Sequence, residues 1–319
     1  MKRVTGSLIG VLLLMTGLNA FVLGKYGEFK FEKLHENIYV MHGPVTEPNK
    51  ENEGFMNNPA VIEGKNGLII VDPGGNYNIG EKVLSEIENV SKKPILAIFN
   101  THKHGDHWFA NKAIAEKYPK AVIYADEHMI AEAKAGEAEK WYNILDRMTG
   151  NLKGTKEFAY PTRALKMGDK IEVDSEIFVV RHPKTAHTDT DLLIEHVNSN
   201  TLFLGDNVMR GRFGAFDSTS SVFGNRKLLE EIMAEPEMKM YVPGHGQSGR
   251  RKETVEPYLA YLKVITEEIA KAYEDEVEPY EVADKVKARL EAYKAWDGIE
   301  HTLGRHLDKV YAEIEAMDE

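Results

Sequence analysis

Thr101-His102-Lys103-His104-Gly105-Asp106-His107 places three imidazoles and a carboxylate in one short stretch. A largely apolar run, residues 94–100, leads into it, and helical apolar spacing follows over residues 108–117, so the stretch occupies a strand-to-helix loop. Close imidazoles repel one another once protonated, and a bound cation gives such a cluster a use. Neutral imidazole nitrogen and carboxylate oxygen suit zinc, and also iron or manganese. The 319-residue chain has no cysteine. Disulfides, thiolate zinc sites, Cys-ligated iron–sulfur clusters and a Cys nucleophile are therefore excluded, and any metal must be held by His and carboxylate.

Outward from this centre the text alternates. Residues 38–42, 60–63 and 68–71 read as strands, the last ending in Asp72-Pro73-Gly74-Gly75. Residues 79–90 have helical spacing, 121–125 read as a strand, and 126–148 as a helical stretch. Strands resume at 171–180, 191–196 and 201–204. Repeated alternation of this kind predicts a layered α/β architecture. Residues 253–319 differ: glycine is scarce, Ala, Glu, Lys and Leu abound, and Tyr258, Leu262, Ile265 and Ile269 keep helical spacing. This predicts an all-helical C-terminal cap, divided at Pro279 and at Asp297-Gly298, with Tyr293, Trp296 and Tyr311 as packing residues.

Lys2 and Arg3 precede an apolar run from Leu8 to Met15 that continues weakly to Ala20, the pattern of an export leader. Cleavage is expected after Leu18-Asn19-Ala20 or Val22-Leu23-Gly24, giving a periplasmic or secreted protein. The alternative is an N-terminal membrane anchor, for which the run is short of the roughly 20 residues a spanning helix needs. The expected division is a leader over 1–20, a main domain over 21–252 and the helical cap over 253–319. With 40 Lys+Arg against 51 Asp+Glu, the formal net charge is -11. That charge disfavours nucleic acid as a partner. A small-molecule substrate is expected, with no stable membrane insertion once the leader is cleaved.

Three more segments put a His or Asp beside a strand-like run: Thr185-Ala186-His187-Thr188-Asp189, Leu202-Phe203-Leu204-Gly205-Asp206-Asn207 and Tyr241-Val242-Pro243-Gly244-His245-Gly246. Singly each is weak, since Gly-Asp-Asn can serve only as a turn. In this order, after Asp72 and the histidine cluster, they carry a resemblance: the sequence is similar to the metallo-β-lactamase-fold superfamily over residues 29–250, matching its five ordered motifs. The resemblance implies an αββα sandwich with a dinuclear zinc site at the open edge of two sheets. His102, His104 and His187 would hold the first metal; Asp106, His107 and His245 the second; Asp206 would bridge them. Asp72 would position ligand loops rather than coordinate. A metal-bound hydroxide would be the nucleophile, with Asp106 as the catalytic carboxylate that orients it and shuttles its proton. No Gly-X-Ser-X-Gly elbow precedes a helical segment, so a Ser-His-Asp hydrolase has no support.

Asp206 stands where the Cys-containing lactamase branch places a cysteine, and resembles the bridging aspartate of glyoxalase II-like thioesterases and lactonases. His104 disfavours the di-iron flavoprotein variant, while the single-iron persulfide dioxygenases share the ligand types and stay open. The leader, the Val71–Gly75 turn, the Leu204–Asn207 segment and the helical tail together resemble the SoxH-like, or quinoprotein-relay zinc metallohydrolase, subgroup. The expected activity is hydrolysis of a small ester, thioester, lactone or lactam. The alternative is a metal-binding accessory protein of a periplasmic redox or sulfur-oxidation pathway. Polar loops over residues 46–57 and 208–225 are expected at the metal mouth. Arg210 and Arg212 are candidates for contacting an anionic substrate, and the phenylalanines of the second loop are expected to anchor it to the core.

Overall fold

In Leu68–Val71 every residue is apolar and buried, which a strand achieves only with both faces covered. The computed structural model describes residues 28–181 and 185–318, and shows what covers them. The leader and its two cleavage sites lie outside the described residues.

The first sheet has seven strands in sequential order: β1 (Glu32–His35), β2 (Ile38–Val40), β3 (Ala60–Glu63), β4 (Leu68–Val71), β5 (Ile95–Phe99), β6 (Val122–Asp126) and β7 (Arg163–Leu165). Strands β1 to β4 pair antiparallel, and β4 to β7 parallel. The second sheet runs β12-β11-β10-β9-β8, from β8 (Lys170–Val173), β9 (Glu176–Arg181), β10 (Leu193–His196), β11 (Thr201–Met209) and β12 (Met240–His245). Side-chain alternation divides β4 between two cores. Ile69 and Val71 join Val40, Phe99, Phe178 and Ile194 between the sheets. Leu68 and Ile70 pack outward against Ile79, Val83 and Ile87 of α1 (Tyr77–Val90) and Ile114 of α3 (Asn111–Lys117).

The outer face of the second sheet is covered by α6 (Val222–Ala234) and the C-terminal helices α7 (Arg251–Glu274), α8 (Pro279–Arg289) and α9 (Ile299–Asp318). Leu202 and Leu204 share one core there with Leu229, Tyr258, Leu262, Val286 and Leu307. The layers are thus α, β, β, α, with an all-helical C-terminal region. Pro279 opens α8 at its first position, where its missing N–H is no loss, above a capping box of Glu278 and Glu281. No helix of the described residues is long and apolar enough to cross a membrane.

Four elements differ from their sequence reading. The span 171–180 is a hairpin, turning at Asp174 and Ser175 with φ of 54° and 72°, as a tight hairpin turn requires. Strand β11 does not stop at Leu204 but runs to Met209, with register irregularities around Gly205. Helix α6 occupies the end of the expected loop 208–225, capped by the Ser221 side chain on the Gly224 N–H. The helical stretch 126–148 breaks into α4 (Glu127–Glu132) and α5 (Ala138–Thr149) across residues Ala133–Glu137, where Gly136 has φ 122°. A Cβ there would meet nothing within 4 Å, so the glycine is needed for its backbone angle alone.

Ile69 is fully buried between the sheets. Ile69→Ala is expected to destabilise the fold by about 2–5 kcal/mol, combining lost transfer energy with a cavity. Urea unfolding measures it; a cost under about 1 kcal/mol would contradict the close packing of this layer.

Candidate metal centre

The strand ends at one edge of the two sheets bring the expected ligands together. From the first sheet, β5 delivers His102 and His104 on its following loop, and Asp106 and His107 on the short helix α2 (Gly105–Trp108). From the second come Asp206 in β11 and His245 at the end of β12, with His187 on the loop before β10. All seven are buried. They form two groups, His102/His104/His187/Asp206 and Asp106/His107/Asp206/His245, whose ligand atoms lie within 4.8 Å of one another.

Asp206 belongs to both groups. Its Oδ2 faces His187 Nε2 at 3.5 Å and His102 Nε2 at 3.8 Å, while its Oδ1 faces His107 Nε2 at 3.1 Å and His245 Nε2 at 3.2 Å. Asp106 Oδ2 lies 3.4 Å from both His107 Nε2 and His245 Nε2. Gly244 makes this approach possible, because a Cβ there would sit on the Asp206 carboxylate.

The imidazoles are oriented from behind. Asp72, at the end of β4 with φ 48°, accepts the Thr101 N–H at 2.8 Å on Oδ1. Its Oδ2 accepts the Thr101 hydroxyl at 2.6 Å and His107 Nδ1–H at 2.9 Å. With its proton given to Asp72, the Thr101 hydroxyl accepts from His102 Nδ1 at 3.0 Å. His245 Nδ1 donates to the Met56 carbonyl at 2.7 Å. Each partner fixes a tautomer and leaves Nε2 as the ligand atom. His104 differs: its Nδ1 faces His187 Nε2 at 3.1 Å, and its Nε2 looks toward Asp217 at 3.8 Å, beyond hydrogen-bond reach.

Burial, reinforced by neighbouring imidazoles, holds His102 well below the ordinary imidazole range; burial pushes His187 down to about 3 despite Asp206. Burial also opposes charge on His107 and His245, but the facing carboxylates, Asp206 foremost, hold both above that range. Asp106, although buried, is held down at about 2 by His107 and His245. The buried Nε2 atoms of His102 and His107 and Oδ1 of Asp206 have no hydrogen-bond partner. Such orphaned atoms are costly without a ligand, and two cations among neutral imidazoles and carboxylates would satisfy them. The residues therefore fit a dinuclear metal group, whose binding would compete with protons for the same imidazole nitrogens.

A cavity of about 440 Å³ opens above this floor. Arg212 lines it, but is buried and committed: its Nη1 donates to the Thr46 carbonyl at 3.2 Å and to Met56 Sδ at 3.1 Å. Arg210 does not line it; its guanidinium turns to the Gln247 carbonyl at 3.3 Å. Phe213 is buried in the helical core, and Phe216 and Phe223 pack against it, so the phenylalanines do anchor the loop. Sequence reasoning missed the tautomer-setting role of Thr101, the Asp217 carboxylate and Trp141, whose ring lies 4.2 Å from that of His104. Only Trp141 carried a signal, an apolar stripe with Ile144 and Met148 at helical spacing in a polar stretch.

Residues 52–245 match the family described as the Metallo-beta-lactamase superfamily. Over 207 residues the chain is 28% identical to a probable metallo-hydrolase of Methanocaldococcus jannaschii, covering 62% of this chain and 91% of that protein. A hydroxyacylglutathione hydrolase of Nostoc punctiforme is 30% identical over 154 residues, 47% of this chain and 48% of that protein. The solved stereoselective inverting sec-alkylsulfatase from Pseudomonas sp. superposes with a TM-score of 0.67 at 14% identity, over 89% of this chain and 50% of that one, a likeness of fold. The chain thus spans about half the length of the last two.

Asp72→Asn keeps a side chain that tolerates positive φ but removes the charge behind Thr101 and His107. Zinc affinity, measured by chelator competition, is expected to fall about 10- to 100-fold. Unchanged affinity would mean that the ligands are oriented without this carboxylate.

Proposed function

We propose, given that this chain belongs to the metallo-beta-lactamase superfamily, that this metal-dependent hydrolase works with two zinc ions on a small ester, thioester, lactone or lactam. The observation that carries the reading is the divided Asp206 carboxylate, one oxygen turned to each ligand group, beneath an open cavity. His102, His104 and His187 would hold one ion, and Asp106, His107 and His245 the other, with Asp206 between. Bound zinc would supply a lowered water pKa, near 7, and an electrophile for the substrate oxygen. Iron or manganese would suit the same ligands, and metal analysis of the purified protein decides among them.

The chain's own residues do the rest. Asp106 lines the cavity and is ionised at neutral pH, so it can accept and pass a proton at Oδ2 while orienting the attacking water. Asp72 and Thr101 keep the imidazoles aimed. Arg212 lines the cavity with Nη1 given to the Thr46 carbonyl and Met56 Sδ, so it supports that side of the mouth and leaves no exposed donor for substrate. Likeness to the hydroxyacylglutathione hydrolase favours the thioester within this class. The alkylsulfatase likeness extends over the helical C-terminal region as well, and supports an alkyl sulfate as a second substrate reading.

Export, with a leader over residues 1–20, and placement in the SoxH-like subgroup belong to the same proposal. They are supported by Lys2, Arg3 and the apolar run behind them, and by the helical tail. The N-terminal mass of the expressed protein in the periplasmic fraction tests the first.

Initial rates of the zinc-loaded protein on a matched lactam, lactone, ester, glutathione thioester and alkyl sulfate test the activity, with Asp106→Asn as the blank. Turnover of at least one member is expected, reduced about 10²- to 10⁴-fold in the variant. Rates no higher than the blank on every member would favour the metal-binding accessory protein instead.

A further inference from the structure

We propose that the helical C-terminal region supplies the specificity determinant of this cavity: Arg305 of α9 takes an anionic group at the far end of a substrate whose body is apolar. The proposal rests on the reading of the cavity as the substrate site.

The cavity's apolar lining comes from two parts of the chain. One is the stripe Trp141, Ile144 and Met148 of α5; the other is Met56, Met209 and Phe213. The metal ligands form the floor, and α9 closes the rim with His301, Thr302 and Arg305. Two aromatics, three thioethers and a branched aliphatic chain make a lining that receives an extended or flat apolar group without demanding one shape.

The charged groups at the mouth divide into those already used and one that is not. Lys140 is held by Glu137 at 3.0 Å. Arg212 is committed to Thr46 and Met56. On the acidic side, Glu47 is bound by His301 at 2.9 Å, and Asp217 accepts the Thr219 N–H and hydroxyl, each at 2.7 Å. Arg305 is exposed and has no ion pair among the described residues. A planar guanidinium there matches a carboxylate, sulfate or phosphate.

The rim is also held in place. The Phe213 N–H donates to the Asp297 carbonyl at 3.0 Å, and the Asp297 N–H to the Gly211 carbonyl at 2.9 Å. The Asp297 carboxylate accepts the Glu47 N–H at 3.1 Å. Next to Arg305, the His306 Nε2–H donates to the Gly214 carbonyl at 2.7 Å while its Nδ1 accepts from the Tyr261 hydroxyl at 2.6 Å. Arg305 therefore projects from a helix whose neighbouring residue is pinned to the cavity wall.

Equilibrium binding to the zinc-loaded full chain tests this without turnover. Linear α,ω-dicarboxylates of six to twelve carbons are compared with the matching monocarboxylates by calorimetry, one carboxylate in each pair being available to the metal floor. The wild-type chain is expected to bind the dicarboxylate of at least one length about three- to tenfold more tightly than its monocarboxylate. Arg305→Gln should abolish that advantage and leave the monocarboxylate unchanged, and Arg305→Lys should restore part of it. Ile144→Ala should weaken both series by the same factor. A dicarboxylate advantage that survives Arg305→Gln, no advantage at any length, or no binding of either series would each overturn the proposal. Failure of the hydrolysis panel alone would not touch it.

Discussion

The Asp72 carboxylate is the buried charge on which the site's geometry turns. It stands at the end of a fully buried strand, with positive φ, and faces the loop that follows the neighbouring parallel strand. Through Thr101 and His107 it sets the direction of two imidazoles from different parts of that loop. A charge in so dry a place is tolerable because three donors converge on it. The two sheets then need only meet at the correct edge for the second sheet's ligands to complete both groups.

What was legible in the sequence follows from range. His102, His104, Asp106 and His107 declare themselves because four candidate ligands crowd one strand-to-helix segment, and the short apolar strands β3 and β4 are found to the residue. His187, Asp206 and His245 became meaningful only through their order along the chain. Gly205-Asp206-Asn207 looks like a turn, yet β11 passes through it, because β12 alongside supplies pairing that local propensity cannot anticipate. Helix α6 was hidden in the same way, its first turn lying inside a phenylalanine-containing stretch that reads as loop. Arg210 and Arg212 are alike by sequence, but the two-residue advance across Gly211 separates a guanidinium facing Gln247 from one lining the cavity. Contacts such as Asp297 with Glu47 join residues far apart in the chain and leave no local trace.

The helical C-terminal region is continuous with the rest of the protein in two senses. It shares a hydrophobic core with the outer face of the second sheet, and its turn at Asp297 is hydrogen-bonded to both loops of the cavity mouth. Loops that line a site usually owe their position to the scaffold beneath them. Here they are also held from above, so the breadth of the mouth is set by helices that carry none of the metal ligands.

Gly136 gives the opposite wall a different kind of control. Its φ of 122° lies where side-chain-bearing residues are strained, yet nothing nearby would obstruct a methyl group. The bearing of α5, and with it the placement of Trp141, Ile144 and Met148, is thus set by one backbone torsion together with the burial of Ala138 and Leu145 beside Trp108 and Phe109. A single codon that contributes no ligand and fills no core space thus bears on the direction of an entire side of the cavity.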